Sequence, residues 1–208
     1  ITGSSDYDDA LRDLASQADI TPYEAFVSLA IEDIRAAAAA LLAIYEHTAA
    51  RDGYVSLEVP PGIEHDTAAT IAEAQRLFKL IDRPNVMIKV PGTPEGCDAV
   101  QALIADGVNV NITLLFSTAA YQRTAEAYIR GLERRFAGLS REGCPLRGPA
   151  VVADARQAYS LFQRFFSGPR WQRLSDAGAM VQRPLWASTG TKNAAYPDIL
   201  YVQELIAP

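Results

Sequence analysis

The spacing of apolar positions along the chain changes near residue 54. Before that point apolar residues recur every three or four positions, which is typical of helices, and after it short alternating runs typical of strands appear between helical stretches. The predicted helices span about residues 6–17, 22–47, 66–81, 93–107, 117–136, 149–166 and 169–176, and the predicted strands 54–59, 86–90, 108–116 and 181–187. Because one helix separates successive strands in residues 54–136, the pattern predicts an α/β fold, either a barrel or an open parallel sheet.

Helix starts are marked by residues that can accept a backbone hydrogen bond at the N-cap position. Thr21, followed by proline and then by Glu24, has the pattern of a capping box, and Asp66, Thr93 and Ser117 stand at the starts of three later helices. Seven apolar positions of the 22–47 helix predict a packed face: Phe26, Leu29, Ala30, Ile34, Ala37, Leu41 and Ile44.

Composition restricts the class of protein. The chain has 208 residues, 49% of them hydrophobic, which is enough for one globular domain over residues 1–208. A net charge of -6 gives no support for nucleic-acid binding, and the longest apolar stretch, residues 36–45, is too short to span a membrane. Two cysteines without disulfide or zinc spacing favour the cytoplasm, and His47 and His65 have no second ligand at metal spacing, so no metal site is predicted.

The candidate chemistry centres on Lys89, one of only three lysines in the chain, within an apolar run that predicts a buried strand. Side chains alternate across a strand, so Glu58 shares a face with Ser56, and Lys89 shares one with Met87. In the next strand Asn109, Asn111 and Thr113 share the polar face. In a parallel barrel these polar faces would converge on the centre, and a buried lysine there suggests amine chemistry.

A structural explanation stays open beside the catalytic one. Lys89 and Glu58 could form a buried ion pair, with Asn111 and Thr113 as its hydrogen-bond partners. Buried pairs add little net stability over apolar packing, and ionisable groups with shifted pKa values concentrate at functional sites, so we favour function.

Two further stretches are less informative. Cys97, just inside a helix, is expected to be a small packed side chain. A reactive thiol is the alternative, because the residue is near a helix start. Residues 188–193 (STGTKN) have the composition of a phosphate-binding loop, and a solvated loop explains them equally well.

Three motifs of this chain, in the family's order and spacing, resemble the transaldolase family, and a fourth stretch resembles the later strand of the family's bacterial branch. The resemblance extends from about Gly3 to the last residue and is carried by these four stretches. They are residues 55–59 (VSLEV) with 65–67 (HDT), 87–96 (MIKVPGTPEG), 107–117 (GVNVNITLLFS) and, in the family's bacterial branch, 183–193 (RPLWASTGTKN). The resemblance implies a TIM, or (β/α)8, barrel. It also implies strands that are missing from this sequence: two before Ile1, one between Ser140 and Arg141, and one after Pro208. The expected domain is therefore a single barrel, incomplete at both ends and near residues 140–141.

By the same resemblance Lys89 is the Schiff-base lysine and Glu58 transfers protons through a bound water. Asn111 and Thr113 place that water and the substrate hydroxyls, with Thr113 among the catalytic residues. Ser188 and Lys192 match phosphate-binding positions. No cofactor is implied.

The implied activity is transaldolase, a transferase that moves a dihydroxyacetone unit between sugar phosphates in the pentose phosphate pathway. The alternatives are a Schiff-base aldolase that releases the three-carbon unit to water, and a noncatalytic sugar-phosphate-binding barrel. The sequence leaves open whether the protein is a homo-oligomer and whether an isomerase domain, fused to some relatives, follows Pro208.

Overall fold

A computed structural model describes residues 5–16, 19–137 and 154–186 of the chain, with side chains from residue 158 onward in the last range. These residues form seven helices and three strands. In chain order they are α1 (Asp8–Ala15), α2 (Pro22–His47), β1 (Val55–Glu58), α3 (Thr67–Ile81), β2 (Val86–Pro91), α4 (Pro94–Asp106), β3 (Val110–Thr113), α5 (Thr118–Arg135), α6 (Asp154–Phe165) and α7 (Pro169–Asp176).

The three strands form one sheet in the order β1-β2-β3, so β2 lies in the middle. β1 pairs with β2 in parallel, with Ser56 opposite Met87 and Glu58 opposite Lys89. Strand β2 is joined to β3 by a bond from the Ile88 amide to the Asn109 carbonyl, 2.8 Å. Because each strand is followed by a helix, the described part has the alternation that the sequence predicted.

The described chain divides into two compact units. The first comprises the residues up to Val90 together with Val108–Asn111, and the second comprises Pro91–Gly107 and the residues from Ile112 onward.

The first unit buries one face of the sheet beneath helices. Val86, Ile88 and Val90 of β2 have no exposed surface, and α3 contributes Ala74, Leu77 and Ile81 to the same core. Side-chain bonds hold α2 beside α3: the Tyr23 hydroxyl donates to Glu73 Oε1 (2.6 Å), and Arg35 Nη2 donates to the Leu80 carbonyl (2.6 Å).

The N-terminal end of the sheet is held by Asn85, which is fully buried. Its Nδ2 donates to the Ala38 carbonyl of α2 (2.8 Å) and to the Gly53 carbonyl before β1 (2.9 Å). The Asn85 carbonyl in turn accepts from the Val55 amide, 3.0 Å. One buried side chain thus fixes α2, β1 and β2 relative to each other.

The second unit is built on the pair α4 and α5. They approach closely at Gly131, where an added Cβ would stand 2.7 Å from Ile104 Cβ. Arg170 of α7 donates to Glu126 and Glu133 of α5 at 2.6–3.1 Å, and Phe166 packs edge-on against Trp171 with ring centroids 4.7 Å apart.

Local signals of helix starts are confirmed. Thr21 forms the predicted capping box with Glu24, and Asp66, Thr93 and Ser117 each accept a backbone N–H three residues on. Helix α1 is shorter than predicted and begins after Tyr7, without a side-chain cap. Helix α6 begins at Asp154, and the predicted residues 149–153 lie outside the described residues.

Two strand predictions and one packing prediction are wrong in part. The third strand ends at Thr113 and not near residue 116, because Leu114 adopts a left-handed backbone (φ 63°) that breaks the ladder, which leaves Phe116 82% exposed. Residues 181–186, predicted as a fourth strand, are not a strand, because they form no ladder with a strand of the described chain. On α2, Phe26 and Ile44 are about half exposed, whereas Val27 and Ile31 are buried.

Among the described residues no helix is long and apolar enough to cross a membrane.

Candidate active site

Lys89 and Glu58 form an ion pair across two neighbouring parallel strands. They stand opposite each other in the register of β1 and β2, and their side chains project from the same face. Lys89 Nζ donates to Glu58 Oε2 at 2.9 Å. The predicted proximity of an amine and a carboxylate is confirmed, and it follows from the pairing register of β1 and β2.

The expectation that Lys89 is buried is wrong. Its side chain is 32% exposed and that of Glu58 is 46% exposed, while the adjacent Ile88 and Val90 are completely buried. Alternation explains the difference: the apolar residues of β2 face the helices, and Lys89 faces the other side of the sheet. An ion pair this exposed contributes at most about 1 kcal/mol to stability. A purely structural role for the pair is therefore poorly supported.

A polar residue of β3 joins the same face. Asn111 Nδ2 donates to Ser56 Oγ at 3.1 Å, and Ser56 is two residues before Glu58 on β1. All four residues, Ser56, Glu58, Lys89 and Asn111, belong to the first unit. The sequence placed Ser56 on the correct face but assigned it no role, although a hydroxyl two positions from a candidate carboxylate was the available signal.

Asn109 is engaged elsewhere despite sharing the polar face of the predicted strand. Its Nδ2 donates to the carbonyls of Pro84 (3.2 Å) and Val86 (3.1 Å), which flank the start of β2. This amide fixes β2 against the chain leading into β3 and does not face Lys89 as a free donor.

The remaining predicted site residues are placed only in part. Thr113 is the last residue of β3 and belongs to the second unit, where its carbonyl accepts from the Gly92 amide, 2.8 Å. Ser188 and Lys192 lie outside the described residues. Their phosphate-binding role stays a prediction.

Cys97 has the features of a packed thiol. It is buried in the first turns of α4, and its burial raises the pKa of the thiol, an effect that the nearby Arg123 only partly offsets. A raised pKa leaves less of the thiolate that reacts with oxidants and electrophiles. Packing, and not reactivity, accounts for this residue.

The two histidines, His47 and His65, are both exposed. Within the part of the chain that the structure describes, no cluster of three histidine, cysteine, aspartate or glutamate residues could hold a metal ion.

Comparison with known families decides the affiliation of this chain. The family model described as Transaldolase/Fructose-6-phosphate aldolase matches residues 1–208. The chain belongs to the transaldolase/fructose-6-phosphate aldolase family. Its predicted fold class, an α/β fold of the (β/α)8-barrel type, is confirmed by this affiliation and by the parallel pairing of β1 with β2.

Bacterial relatives carry the name transaldolase. The chain is 44% identical to "Transaldolase 1" of Streptomyces avermitilis over 97% of this chain and 61% of that protein. It is 45% identical to "Transaldolase" of Thiobacillus denitrificans over 96% of this chain and 63% of that protein. It is 42% identical to "Transaldolase 2" of Nostoc punctiforme over 100% of this chain and 64% of that protein.

The chain spans about three-fifths of the length of the curated transaldolases that it matches. The stretch aligned with the Streptomyces transaldolase is 231 residues, which exceeds the 208 residues of this chain, so that relative has internal residues that this chain lacks. The predicted position of a missing strand, between Ser140 and Arg141, lies outside the described residues. That position and the fused isomerase domain stay predictions.

Proposed function

We propose that the protein is a transaldolase that transfers a dihydroxyacetone unit between sugar phosphates through a Schiff base on Lys89. The single observation that carries the proposal is the Lys89–Glu58 pair, an amine and a carboxylate 2.9 Å apart on the solvent-accessible face of a parallel sheet. The family affiliation supports the same chemistry.

In the first step the unprotonated Lys89 amine attacks the ketone carbon of a ketose phosphate such as sedoheptulose 7-phosphate or fructose 6-phosphate. The carbinolamine that forms loses water and becomes an iminium ion. Glu58 is the carboxylate placed to take a proton from the amine and to exchange protons, through a water, with the attached hydroxyls.

In the second step the bond between the third and fourth carbons breaks. The electron pair of that bond moves into the iminium, an enamine remains on Lys89, and the hydroxyl proton of the departing aldehyde goes to the base. An acceptor aldehyde phosphate, such as glyceraldehyde 3-phosphate, then reverses the sequence and receives the three-carbon unit. The iminium ion formed on Lys89 is the electron sink, so the proposal requires neither metal nor cofactor.

Roles for the other residues follow from the family resemblance. Asn111 would bind substrate hydroxyls, Thr113 would place the catalytic water, and Ser188 and Lys192 would bind the phosphate. We place the activity in the cytoplasm, on sugar-phosphate substrates, and the prediction of no nucleic-acid partner rests on the net charge of -6.

Borohydride trapping tests the proposal directly. Reduction with sodium borohydride in the presence of fructose 6-phosphate should add the mass of a reduced three-carbon or six-carbon unit to Lys89, located by peptide mass spectrometry. Lys89→Met should abolish the adduct, whereas Lys79→Met, at an exposed lysine of α3, should leave it unchanged. A folded protein that gains no mass on Lys89 would contradict the proposal.

A second candidate, a fructose-6-phosphate aldolase, is favoured by the description of the family, which includes both activities. The two differ in what removes the enamine: an aldehyde acceptor in one, and protonation by water in the other. Release of dihydroxyacetone from fructose 6-phosphate without an acceptor would establish the aldolase. Turnover that requires added acceptor would establish the transaldolase.

A further inference from the structure

We propose that Ser56 is a positioning residue that holds the amide of Asn111 beside the reactive pair. This inference rests on the proposed Schiff-base function at Lys89. Its basis is the 3.1 Å hydrogen bond from Asn111 Nδ2 to Ser56 Oγ, which joins two strands that are not neighbours.

The position of β2 makes this bond unusual. β2 lies between β1 and β3, and neighbouring strands are about 4.8 Å apart, so the outer strands are separated by roughly twice that distance. A side-chain bond between them must cross over the face of β2. Ser56 stands opposite Met87, and Met87 is two residues from Lys89 on the same face. The bond therefore lies over β2, on the face of the sheet that carries Lys89.

The bond fixes the orientation of the Asn111 amide. A free asparagine side chain rotates about its terminal torsion, which exchanges the positions of its donor and acceptor atoms. With one Nδ2 hydrogen given to Ser56, the second hydrogen and Oδ1 keep constant directions. The Ser56 hydroxyl accepts this bond and retains its own hydrogen as a donor.

Asn109 shows why the link is informative. It is two residues before Asn111 on the same chain segment, but its amide donates to the backbone carbonyls of Pro84 and Val86, a common structural use of asparagine. The Asn111 amide instead bonds to a half-buried hydroxyl on the face that carries Lys89. The Ser56 hydroxyl therefore acts on the reaction indirectly, by fixing the direction of the Asn111 amide.

Three substitutions of Ser56 isolate the hydroxyl. Ser56→Ala removes the acceptor, and Ser56→Cys keeps a similar volume but accepts hydrogen bonds poorly. Ser56→Thr retains the hydroxyl on a residue that suits a strand. We expect alanine and cysteine to lower kcat about 10-fold to 100-fold, the size of effect that misplacement of a reacting group produces, with a smaller change in KM. Threonine should restore most of the rate.

A double-mutant cycle shows whether the effect passes through Asn111. In an Asn111→Ala background, Ser56→Ala should cause no further loss of kcat, because the amide that it aims is gone. Equal losses in both backgrounds, or an unchanged kcat in the cysteine variant, would overturn the role. Thermal melts of all variants identify any loss that is due to unfolding, and the cysteine and threonine variants then decide the question.

Borohydride trapping separates this inference from the function on which it rests. A Lys89 adduct in the unsubstituted protein, combined with full activity of Ser56→Ala and Ser56→Cys, would remove the positioning role alone. Absence of the adduct in the unsubstituted protein would remove the proposed function, and the role of Ser56 with it.

Discussion

Glu58 Oε2 accepts a hydrogen bond from Lys89 Nζ at 2.9 Å, and the strands that carry the two residues, β1 and β2, pair with each other in parallel. Neither side chain is buried, so the pair is accessible to a substrate and adds little to stability. Loss of function and loss of stability can therefore be separated at this site.

Replacement of Glu58 by glutamine should lower turnover by about 10² to 10⁴-fold, the usual contribution of a general acid or base. The amide can still accept the bond from Lys89 but cannot carry protons, so borohydride should still trap an adduct, more slowly. Steady-state kinetics and timed trapping measure the two effects. Glu46→Gln, at an exposed position of α2, is the matched control. Full turnover of Glu58→Gln would exclude the proton-transfer role.

Replacement of Asn85 by alanine should destabilise the first unit by about 2 kcal/mol, because the buried Gly53 carbonyl loses its donor and the tie to α2 is lost. Urea unfolding at neutral pH measures this change. Asn111→Ala removes the same amide from a half-exposed position and should cost much less. Equal costs at the two positions would contradict the importance of burial.

Replacement of Gly131 by alanine should destabilise the second unit by about 1–2 kcal/mol, although alanine favours helices. The new Cβ would stand 2.7 Å from Ile104 Cβ and 2.8 Å from the Gln101 carbonyl of α4, so the two helices would have to separate. Thermal unfolding measures the effect. Arg134→Ala, exposed on α5, should change stability by less than about 0.5 kcal/mol. A rise in stability of Gly131→Ala would show that the contact relaxes without cost.

Acid should weaken the attachment of α7 to α5. Burial raises the pKa of Glu126, but hydrogen bonds from Arg170 and Arg130 outweigh it, so the pKa lies below its ordinary value. The unfolded chain, with a glutamate pKa of about 4.3, then binds protons first as pH falls. The stabilisation is fully present above that pH and is lost as pH falls through the lower, folded pKa.

Arg170→Ala should therefore lower stability by about 1 kcal/mol at neutral pH and by progressively less below pH ~4. Tryptophan fluorescence reports the unfolding, because Trp171 and Trp186 both belong to the second unit. Arg164→Ala, at an exposed arginine of α6, should show no such pH dependence. A deficit in Arg170→Ala that stays constant down to pH 3 would assign the effect to lost packing.

Local chemistry accounts for what the sequence predicted well. Caps at Thr21, Asp66, Thr93 and Ser117 depend on residues three positions apart, so the sequence contains both partners. The shared face of Glu58 and Lys89 required in addition that two strands pair in register, and the helix between β1 and β2 made a parallel pairing the natural expectation.

What the sequence could not predict depends on neighbours distant in the chain. The alternation of Val110 and Ile112 continues into Leu114, which predicts a longer strand. A left-handed backbone at Leu114 ends the strand, and a leucine at that position does not indicate such a conformation. The exposure of Lys89 depends on what covers the polar face of the sheet. The bond from Asn111 to Ser56 depends on strand order, which periodicity does not contain.

The central place of β2 has a consequence for the proposed reaction. The Val59 amide donates to the Lys89 carbonyl at 3.2 Å, and the preceding residue, Ile88, donates to Asn109, so the backbone around Lys89 is tied on both sides. The flexible four-carbon stem of Lys89 then carries the proposed nucleophile on a hydrogen-bonded main chain. Covalent steps at this lysine would proceed on a fixed main chain, with the side chain acting as a tether that swings between Glu58 and the bound carbon skeleton.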